Sequence, residues 1–506
     1  MKLKGCGVNG LWMQGLLSLL APHPFAEECE ENRLKRIKNL NLLVERLAKY
    51  GIKLYLYLNE PRSVSTALLP SSLVGHTEGD YSAMCSSQKQ TWDYLYLAVK
   101  YLVERVSGLG GFITITMSEN ITHCRYRTHT NCPRCKNVPQ EELASKIPNT
   151  ILRAVKDANS GAKVIANVWG WNFSMEWTDA QVERGISLLD KDIAVMSVSE
   201  TALKINKGGV ENLVIDYSVS CGTESEYTKK VIEIAQKTGH SVLAKVQINN
   251  SWECSAVPCI PVFDLVVGHV STLRNDGVKG YMYSWTLGGY PSISLELAMR
   301  VGFENEFNLF DWYKERFAGQ AEPVHDAIKQ LCSAFTNLPF DVNLLYFSPL
   351  NVGAANPWYY QNTEREATMV GFPFDDVKTW RGVYHLDVFT SQLGMLSKEW
   401  NKGVDMLSAC NKTPQIAEIL RFATVCGIHF ESTYLQVCFN SLKGKSSLQE
   451  FVSLIERERI LTQKLYEIIS QDSRIGFEAS NHYFYTENSL LFKLVSLEQL
   501  LKDKDV

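Results

Sequence analysis

The first three-fifths of this 506-residue chain alternates short β-like runs with amphipathic helical stretches. The runs are apolar along their whole length, and apolar residues recur at helical spacing between them, as at Ile37, Leu40 and Val44. The predicted strands are residues 7–14, 54–58, 112–117, 164–169, 193–198, 242–248 and 280–285. Helices are predicted near 140–157, 179–189, 225–238, 261–275 and 293–302. Apolar strands that alternate with helices indicate a parallel sheet covered on both faces.

Seven such βα units are one fewer than a closed barrel of eight requires. The pattern therefore predicts a (β/α)8-type (TIM) barrel that lacks its first βα unit, with strands 7–14 and 280–285 flanking the gap. A further β-like run at 212–218 follows strand 193–198 too closely for a helix between them, and we predict that it belongs to a long loop. An open doubly wound sheet is the alternative, but no G-x-G-x-x-G turn follows a predicted strand to support it.

The alternation stops at about residue 303, and helical periodicity dominates from there. Helices are predicted at 323–337, 384–408, 414–440 and 447–470, with an irregular, aromatic-rich connection at 340–382. The chain is therefore predicted to contain a barrel domain at 1–302 and a mostly α-helical C-terminal domain at 303–506.

Charge and composition argue against nucleic acid binding and against a membrane span. The net charge is −4 and the basic residues are scattered, which argues against nucleic acid binding. No apolar run approaches the roughly 18 residues of a membrane span.

The thirteen cysteines are an odd number and mostly isolated, which favours a reducing, cytoplasmic location. The apolar start is interrupted by polar residues and glycines and is interpreted as strand and loop, although export stays open if a leader segment is missing.

Polar and aromatic residues follow the predicted strands where each one ends. The active sites of parallel barrels lie at the carboxyl ends of the strands, so these residues are candidates for chemistry. A single glutamate in such a place can equally cap a helix or pair with arginine. Six strand ends that combine carboxylates, amides and indoles indicate a sugar-binding site, because aromatic rings stack on the C–H faces of sugar rings. The predicted set is Glu60, Arg62, Glu119, Asn120, Trp169, Trp171, Glu200, Asn249, Trp252, Glu253, Trp285 and Tyr290.

Three of these carboxylates are candidate catalytic groups for cleavage of a glycosidic bond. Cleavage requires a protonated carboxyl group to assist the departing oxygen and a second group at the oxocarbenium-like centre. Glu119 is the predicted acid, because it closely follows the apolar run 112–117 and burial beside aromatic residues would raise its pKa. The second group is Glu200 or Glu253. If the substrate carries an N-acetyl group, its carbonyl oxygen can attack instead, and Glu200 would then orient that acetamide.

Cys124, Cys132 and Cys135 form a cluster, with His123 and His129 nearby. A structural zinc needs four ligands, and only the C-x-x-C pair has standard spacing. The favoured interpretation is a loop packed on its own sulfurs, with a zinc that braces this loop as the alternative. No metal or other cofactor is predicted.

A second pair of carboxylates occurs at Asp375 and Asp376, among aromatic residues. The simpler interpretation is that one of them caps the following helical turn. The alternative is that Asp376 lies on a loop over the barrel mouth and contacts substrate.

A series of motifs, taken together and in order, resembles the family 163 glycoside hydrolases, which overlap the domain of unknown function 4838. The motifs are GVNGLWMQG, LYLYLNEPR, GFITITMSENITHC with CPRC, SVSE, LAKVQINNSWE with AVPCIPVFDLV, SWTLGGYPS, GAANPWYY and MVGFPFDDVKTWRG. The resemblance implies an endo-β-N-acetylglucosaminidase that cuts the chitobiose core of N-glycans, with functional carboxylates at Glu119 and Glu200. Related chains begin with further residues that supply a first barrel strand, so the resemblance also implies that this strand is missing here.

The sequence is therefore compatible with three functions. The first is an N-glycan endoglycosidase, whose partner is an oligosaccharide or the glycan of a glycoprotein. The second is another barrel glycosidase, such as an exo-acting hexosaminidase or a glucuronidase-like enzyme. The third is a non-catalytic carbohydrate-binding protein.

Overall fold

A computed structural model describes residues 2–25, 28–118, 120–127, 129–171, 177–285, 290–304, 306–361, 375–443, 448–478 and 482–502. Its main feature is an open sheet of seven strands whose order in the sheet follows their order in the chain. The strands are β1 Gly10–Gln14, β2 Lys53–Leu58, β3 Gly111–Ile115, β4 Lys163–Asn167, β5 Ile193–Val198, β6 Val242–Val246 and β7 Gly280–Tyr283. The successive pairs from β1 to β6 are parallel. The predicted strand count and both predicted edge strands are confirmed. The seven strands form an open sheet rather than a closed barrel.

The central strands are buried because they are apolar throughout. All five residues of β3 are buried. The chain also brings β3 unusually close to β4 at Gly111, where an added Cβ would lie 2.1 Å from the carbonyl oxygen of Lys163. Glycine is therefore required at this position for the two strands to pair.

The predicted helices between the strands are confirmed, with ends that shift by a few residues. In the described ranges, helices that precede or alternate with the strands are Lys2–Gly5, Leu17–Leu20, Glu30–Ala48, Lys89–Arg105, Gln140–Asp157, Asp179–Ser187, Glu226–Lys237, Phe263–Asn275 and Ile293–Phe303. The helix Asp179–Ser187 begins where its sequence predicts, because Thr178 and Gln181 form a reciprocal capping box.

Two small antiparallel elements N-terminal to residue 303 were not predicted. One is a three-stranded sheet after β2, formed by Val64–Ser65, Val74–Glu78 and Tyr81–Met84. The other is the hairpin Leu203–Lys207 with Val210–Val214, so the prediction of a long loop at 212–218 is wrong over its first residues. The hairpin forms because a two-residue turn of glycines joins strands that alternate between half-buried and exposed side chains.

The remainder of the chain is mostly helical, as predicted. Its helices are Leu309–Phe317, Ala321–Phe335, Val342–Phe347, Val377–Trp380, Leu386–Ala409, Pro414–Leu442, Leu448–Ile469 and Glu487–Lys502. A short antiparallel pair, Phe477–Glu478 with His482–Tyr483, and four 3-10 turns complete the described elements; the turns are Thr66–Leu68, Ala318–Gln320, Pro349–Asn351 and Gly353–Ala355. Trp400 lies in the centre of this helical core, against the rings of Phe335 and Phe430. None of the helices in the described ranges combines the length and apolar composition that a membrane span requires.

The chain is organised as two compact units whose segments interleave in sequence. The first unit comprises residues 1–201, 226–245 and 273–281, and contains most of the sheet. The second comprises 202–225, 246–272 and 282–506, and contains the helical region. The sequence predicted a single boundary at 302/303. Three segments N-terminal to that boundary belong to the second unit instead.

Candidate active site

The carboxyl ends of β2, β3 and β4 form one continuous polar edge in the first unit. Pairing of Ile115 with Asn167 aligns the ends of β3 and β4. The hydroxyl of Ser118 donates to the Asn59 side-chain oxygen over 3.3 Å, which joins the segments that follow β3 and β2. The amide of Asn167 donates to the Tyr57 hydroxyl over 3.5 Å. The edge at which the sequence predicted a site is therefore built from side chains that contact one another.

Glu60 lies at this edge, directly after β2, and is 2% exposed. The backbone N–H of Leu17 donates to one carboxylate oxygen and that of Arg62 to the other, both over 2.8 Å. Burial outweighs these donors and raises the pKa of Glu60 to about 7. Tyr94 is also buried, and its pKa is raised by burial and by the charge of Glu60. Glu60 is thus a buried acid that titrates near neutral pH, while the predicted ligand Arg62 is exposed.

The predicted acid, Glu119, lies outside the described residues. Its two neighbours are described. The backbone N–H of Asn120 donates to the Ser118 hydroxyl over 3.2 Å, so these two residues are hydrogen-bonded to each other. Asn120 is half-buried. The end of β3 therefore carries hydroxyl and amide groups where the sequence predicted part of the site.

Glu200 is fully buried in the turn that follows β5. Two backbone bonds fix this turn, from Ser199 N–H to the Lys245 carbonyl over 3.1 Å and from Thr201 N–H to the Val198 carbonyl over 3.2 Å. Ala202 closes the turn with a φ of 63°, a conformation that non-glycine residues rarely adopt. Glu200 is therefore held against the strand end by the backbone itself and is shielded from water.

The two tryptophans after β4 differ in exposure. Trp169 is half-buried, and its backbone N–H donates to the Asn167 side-chain oxygen over 3.1 Å. Trp171 is 1% exposed, packs on Trp177 at 5.0 Å between ring centroids, and donates its indole N–H to the Thr116 hydroxyl over 3.1 Å. Trp171 therefore offers no face to a ligand. This corrects its predicted role in substrate binding, whereas Trp169 keeps part of its surface open.

In the second unit, Glu253 is fully buried and surrounded by donors. The backbone N–H groups of Val219 and Ser220 donate to its carboxylate over 2.7 and 3.1 Å. The hydroxyls of Ser218 and Ser251 donate over 2.6 and 2.5 Å, and that of Ser220 also donates. A carboxylate that accepts five such hydrogen bonds anchors the surrounding loops. These contacts favour a structural role for Glu253 over the predicted catalytic one.

The other predicted residues of the second unit also make internal contacts. Asn249 is fully buried, and its side-chain N–H donates to the Tyr290 carbonyl over 2.7 Å. Trp252 is 8% exposed and packs on Tyr346. Trp285 and Tyr290 are half-buried, and the Tyr290 hydroxyl accepts a hydrogen bond from Arg474. Asn249 and Trp252 therefore serve packing, while Trp285 and Tyr290 retain some open surface.

Asp376 caps the helix Val377–Trp380. Its carboxylate accepts from the Thr379 N–H over 3.1 Å and from the Thr379 hydroxyl over 2.5 Å. The simpler of the two interpretations is the one observed, and the cap uses both carboxylate oxygens. Residues 362–374, which precede it in the sequence, lie outside the described ranges.

The cysteine cluster has a fourth member that the sequence did not indicate. Cys85 lies with Cys124, Cys132 and Cys135, all buried, with the four Sγ atoms within 4.8 Å of one another. Cys85 is 39 positions before the next of them, so no spacing rule could have identified it. Among the described residues, these four are the set that could hold a metal ion.

No family model and no curated protein matches this sequence. Among solved structures, the chain is similar to a GH138 enzyme that targets pectin rhamnogalacturonan II, with a TM-score of 0.55, 13% identity, and coverage of 100% of this chain and 63% of that one. It is also similar to a family 89 glycoside hydrolase from Clostridium perfringens in complex with PUGNAc, with a TM-score of 0.51, 10% identity, and coverage of 92% and 52%. The chain therefore spans between half and two-thirds of the length of these enzymes. At such low identity the likeness shows a shared fold.

Proposed function

We propose that this protein is a glycoside hydrolase, and that its substrate is the chitobiose core of an N-glycan, cut as by an endo-β-N-acetylglucosaminidase. The observation that supports this most is the placement of Glu200, a fully buried carboxyl group at the carboxyl end of β5. Carboxyl groups at the carboxyl ends of the strands of such a sheet are placed where barrel enzymes carry their chemistry. The shared fold with glycoside hydrolases and the order of the sequence motifs give independent support.

The reaction divides between two carboxyl groups. Glu119 donates its proton to the glycosidic oxygen as the bond from that oxygen to the anomeric carbon breaks. The carbonyl oxygen of the substrate acetamide attacks the same carbon and closes a five-membered ring, while Glu200 accepts a hydrogen bond from the acetamide N–H. Water then opens the ring and returns a proton to Glu119. The family 89 enzyme also has a structure with a 2-acetamido ligand, which makes an N-acetylated sugar a reasonable substrate class for the shared fold.

The test is incubation of the full chain with an intact, complex-type N-glycoprotein, followed by mass spectrometry of the protein and the released glycan. We expect a protein that keeps one GlcNAc on each former glycan site, and a glycan one GlcNAc shorter. Glu200→Gln should abolish this change. Glu45→Gln is the matched control, because Glu45 is an exposed glutamate on the helix Glu30–Ala48.

Other products would contradict the proposal in distinct ways. Release of single terminal sugars would identify an exo-acting glycosidase. An unchanged glycoprotein that nevertheless binds the chain in a titration would identify a carbohydrate-binding protein. Equal activity of wild type and Glu200→Gln would remove Glu200 from the site.

A further inference from the structure

The small sheet after β2 and the segment after β3 share a core in which most of the buried side chains are cysteines. Its buried members are Ala83, Cys85, Ile121, Cys124, Tyr126, Cys132 and Cys135, so four of the seven side chains are thiols. Each of these thiols is at most 1% exposed. A sheet of three short strands with so few aliphatic side chains cannot gain much stability from apolar burial. Protein parts of this size commonly depend on a disulfide or a metal instead.

The sulfur atoms have the separations of a tetrahedral metal site. A Zn–S bond of about 2.3 Å places neighbouring sulfurs of a tetrahedron about 3.8 Å apart. The Sγ of Cys85 lies 3.7 Å from that of Cys132 and 3.8 Å from that of Cys135, and all four Sγ atoms lie within 4.8 Å of one another. A disulfide needs about 2.05 Å between sulfurs, and all thirteen cysteines are free thiols. The geometry points to a structural zinc ion held by Cys85, Cys124, Cys132 and Cys135.

The surroundings of the cluster suit four thiolates. A zinc ion with four thiolate ligands carries a net charge of −2, so its sulfurs attract N–H donors. Arg134 donates its Nε–H to the Cys85 sulfur over 3.2 Å and is held there by a second bond to the Val74 carbonyl over 2.6 Å. The backbone N–H of Ser86 donates to the Cys124 sulfur over 3.4 Å. One guanidinium charge and a backbone dipole thus already face the sulfurs.

The backbone also fits closely around the site. A Cβ added to Gly75 would lie 2.6 Å from the Cys124 sulfur and 2.6 Å from the Ala83 carbonyl oxygen, so glycine is needed where this strand passes the cluster. On binding, four thiols release four protons to solvent and four S–Zn bonds form, with no change of oxidation state. The ion would tie the small sheet to the segment that follows β3.

The experiment is metal analysis of the purified full chain by mass spectrometry with inductively coupled plasma. We expect one zinc per chain in the wild type and loss of at least nine-tenths of it in Cys85→Ser and in Cys135→Ser. Cys332→Ser is the matched control, since Cys332 is a buried thiol of the second unit, and it should keep one zinc.

A second measurement on the wild type does not depend on whether the variants fold. Titration with a mercurial should release one zinc for four thiols modified, and protein made with cobalt should show the sulfur-to-metal charge-transfer bands of a tetrathiolate site. Zinc removal should also lower the melting temperature. The proposal is overturned if the folded wild type contains less than a tenth of an equivalent of zinc, if iron fills the site, or if both serine variants retain zinc.

Discussion

Trp169 and Trp171 lie two positions apart after β4, but their indole rings meet different surroundings. Trp169 is half-buried, while Trp171 is 1% exposed and donates its indole N–H to Thr116. A half-buried indole can stack on a sugar ring. A fully buried one contributes to packing and leaves a cavity when it is removed.

The two tryptophans should therefore respond differently to truncation. Trp171→Ala should lower the free energy of unfolding by roughly 3–5 kcal/mol, the usual cost of emptying a buried aromatic site. Trp169→Ala should cost less stability and mainly raise the KM for glycan. Urea unfolding and steady-state kinetics of both variants test this. A stable Trp171→Ala with a raised KM would return Trp171 to the binding surface.

Glu60 gives the protein a stability that depends on pH. Burial raises its pKa from 4.5 to about 7 in the folded chain, so the folded state binds the proton more tightly than the unfolded state. The stabilisation is fully present below about pH 4.5 and is lost as pH rises through 7, a change of roughly 3 kcal/mol for one buried group. In Glu60→Gln the side chain stays neutral at every pH. The loss of unfolding free energy that Glu60 causes as pH rises should therefore be absent from this variant. Urea unfolding at pH 5 and pH 8 measures it, and identical pH slopes in wild type and variant would contradict the burial argument.

At the scale of single elements, the hairpin Leu203–Lys207 with Val210–Val214 depends on the two glycines of its turn. Its turn consists of Gly208 and Gly209, with φ of 59° and 82°. A two-residue hairpin turn with positive φ at both positions matches the twist of the paired strands, and glycine adopts this conformation without strain. The hairpin also shows why 212–218 could not be interpreted from periodicity alone, since its strands are short and its signal lies in the turn.

Gly209 isolates the backbone requirement from packing, because an added Cβ would meet nothing within 4 Å. Gly209→Ala should cost about 1–2 kcal/mol of unfolding free energy, and Gly209→Asn less, because asparagine tolerates the left-handed region. Gly161→Ala is the control, since Gly161 is equally open and is not at positive φ. Thermal unfolding compares the three, and equal effects of Gly209→Ala and Gly161→Ala would show that the turn carries no strain.

At the scale of the whole molecule, the sequence predicted the elements better than their contacts. The seven strands and the long helices follow from apolar periodicity, which is a local property of the chain. Other features depend on residues that are distant in sequence. These are the burial of Trp171, the donors around Glu253 and the approach of Cys85 to the other cysteines. The interleaved composition of the two units is likewise a long-range property of the chain.

The central claim is that Glu119 and Glu200 divide the chemistry, and the rates of Glu119→Gln and Glu200→Gln on two leaving groups test it most directly. On the natural glycan, whose leaving group is a sugar, Glu119→Gln should lower the rate by roughly the 10²–10⁴-fold that general acid catalysis supplies. On a substrate with an activated phenolic leaving group, which needs little protonation, the same variant should lose much less.

Glu200→Gln should impair both substrates, because the acetamide must be oriented whatever group departs, and Glu45→Gln should match the wild type on both. Near-normal turnover of Glu119→Gln on the natural glycan would contradict this division of roles, since the acid would then be another residue.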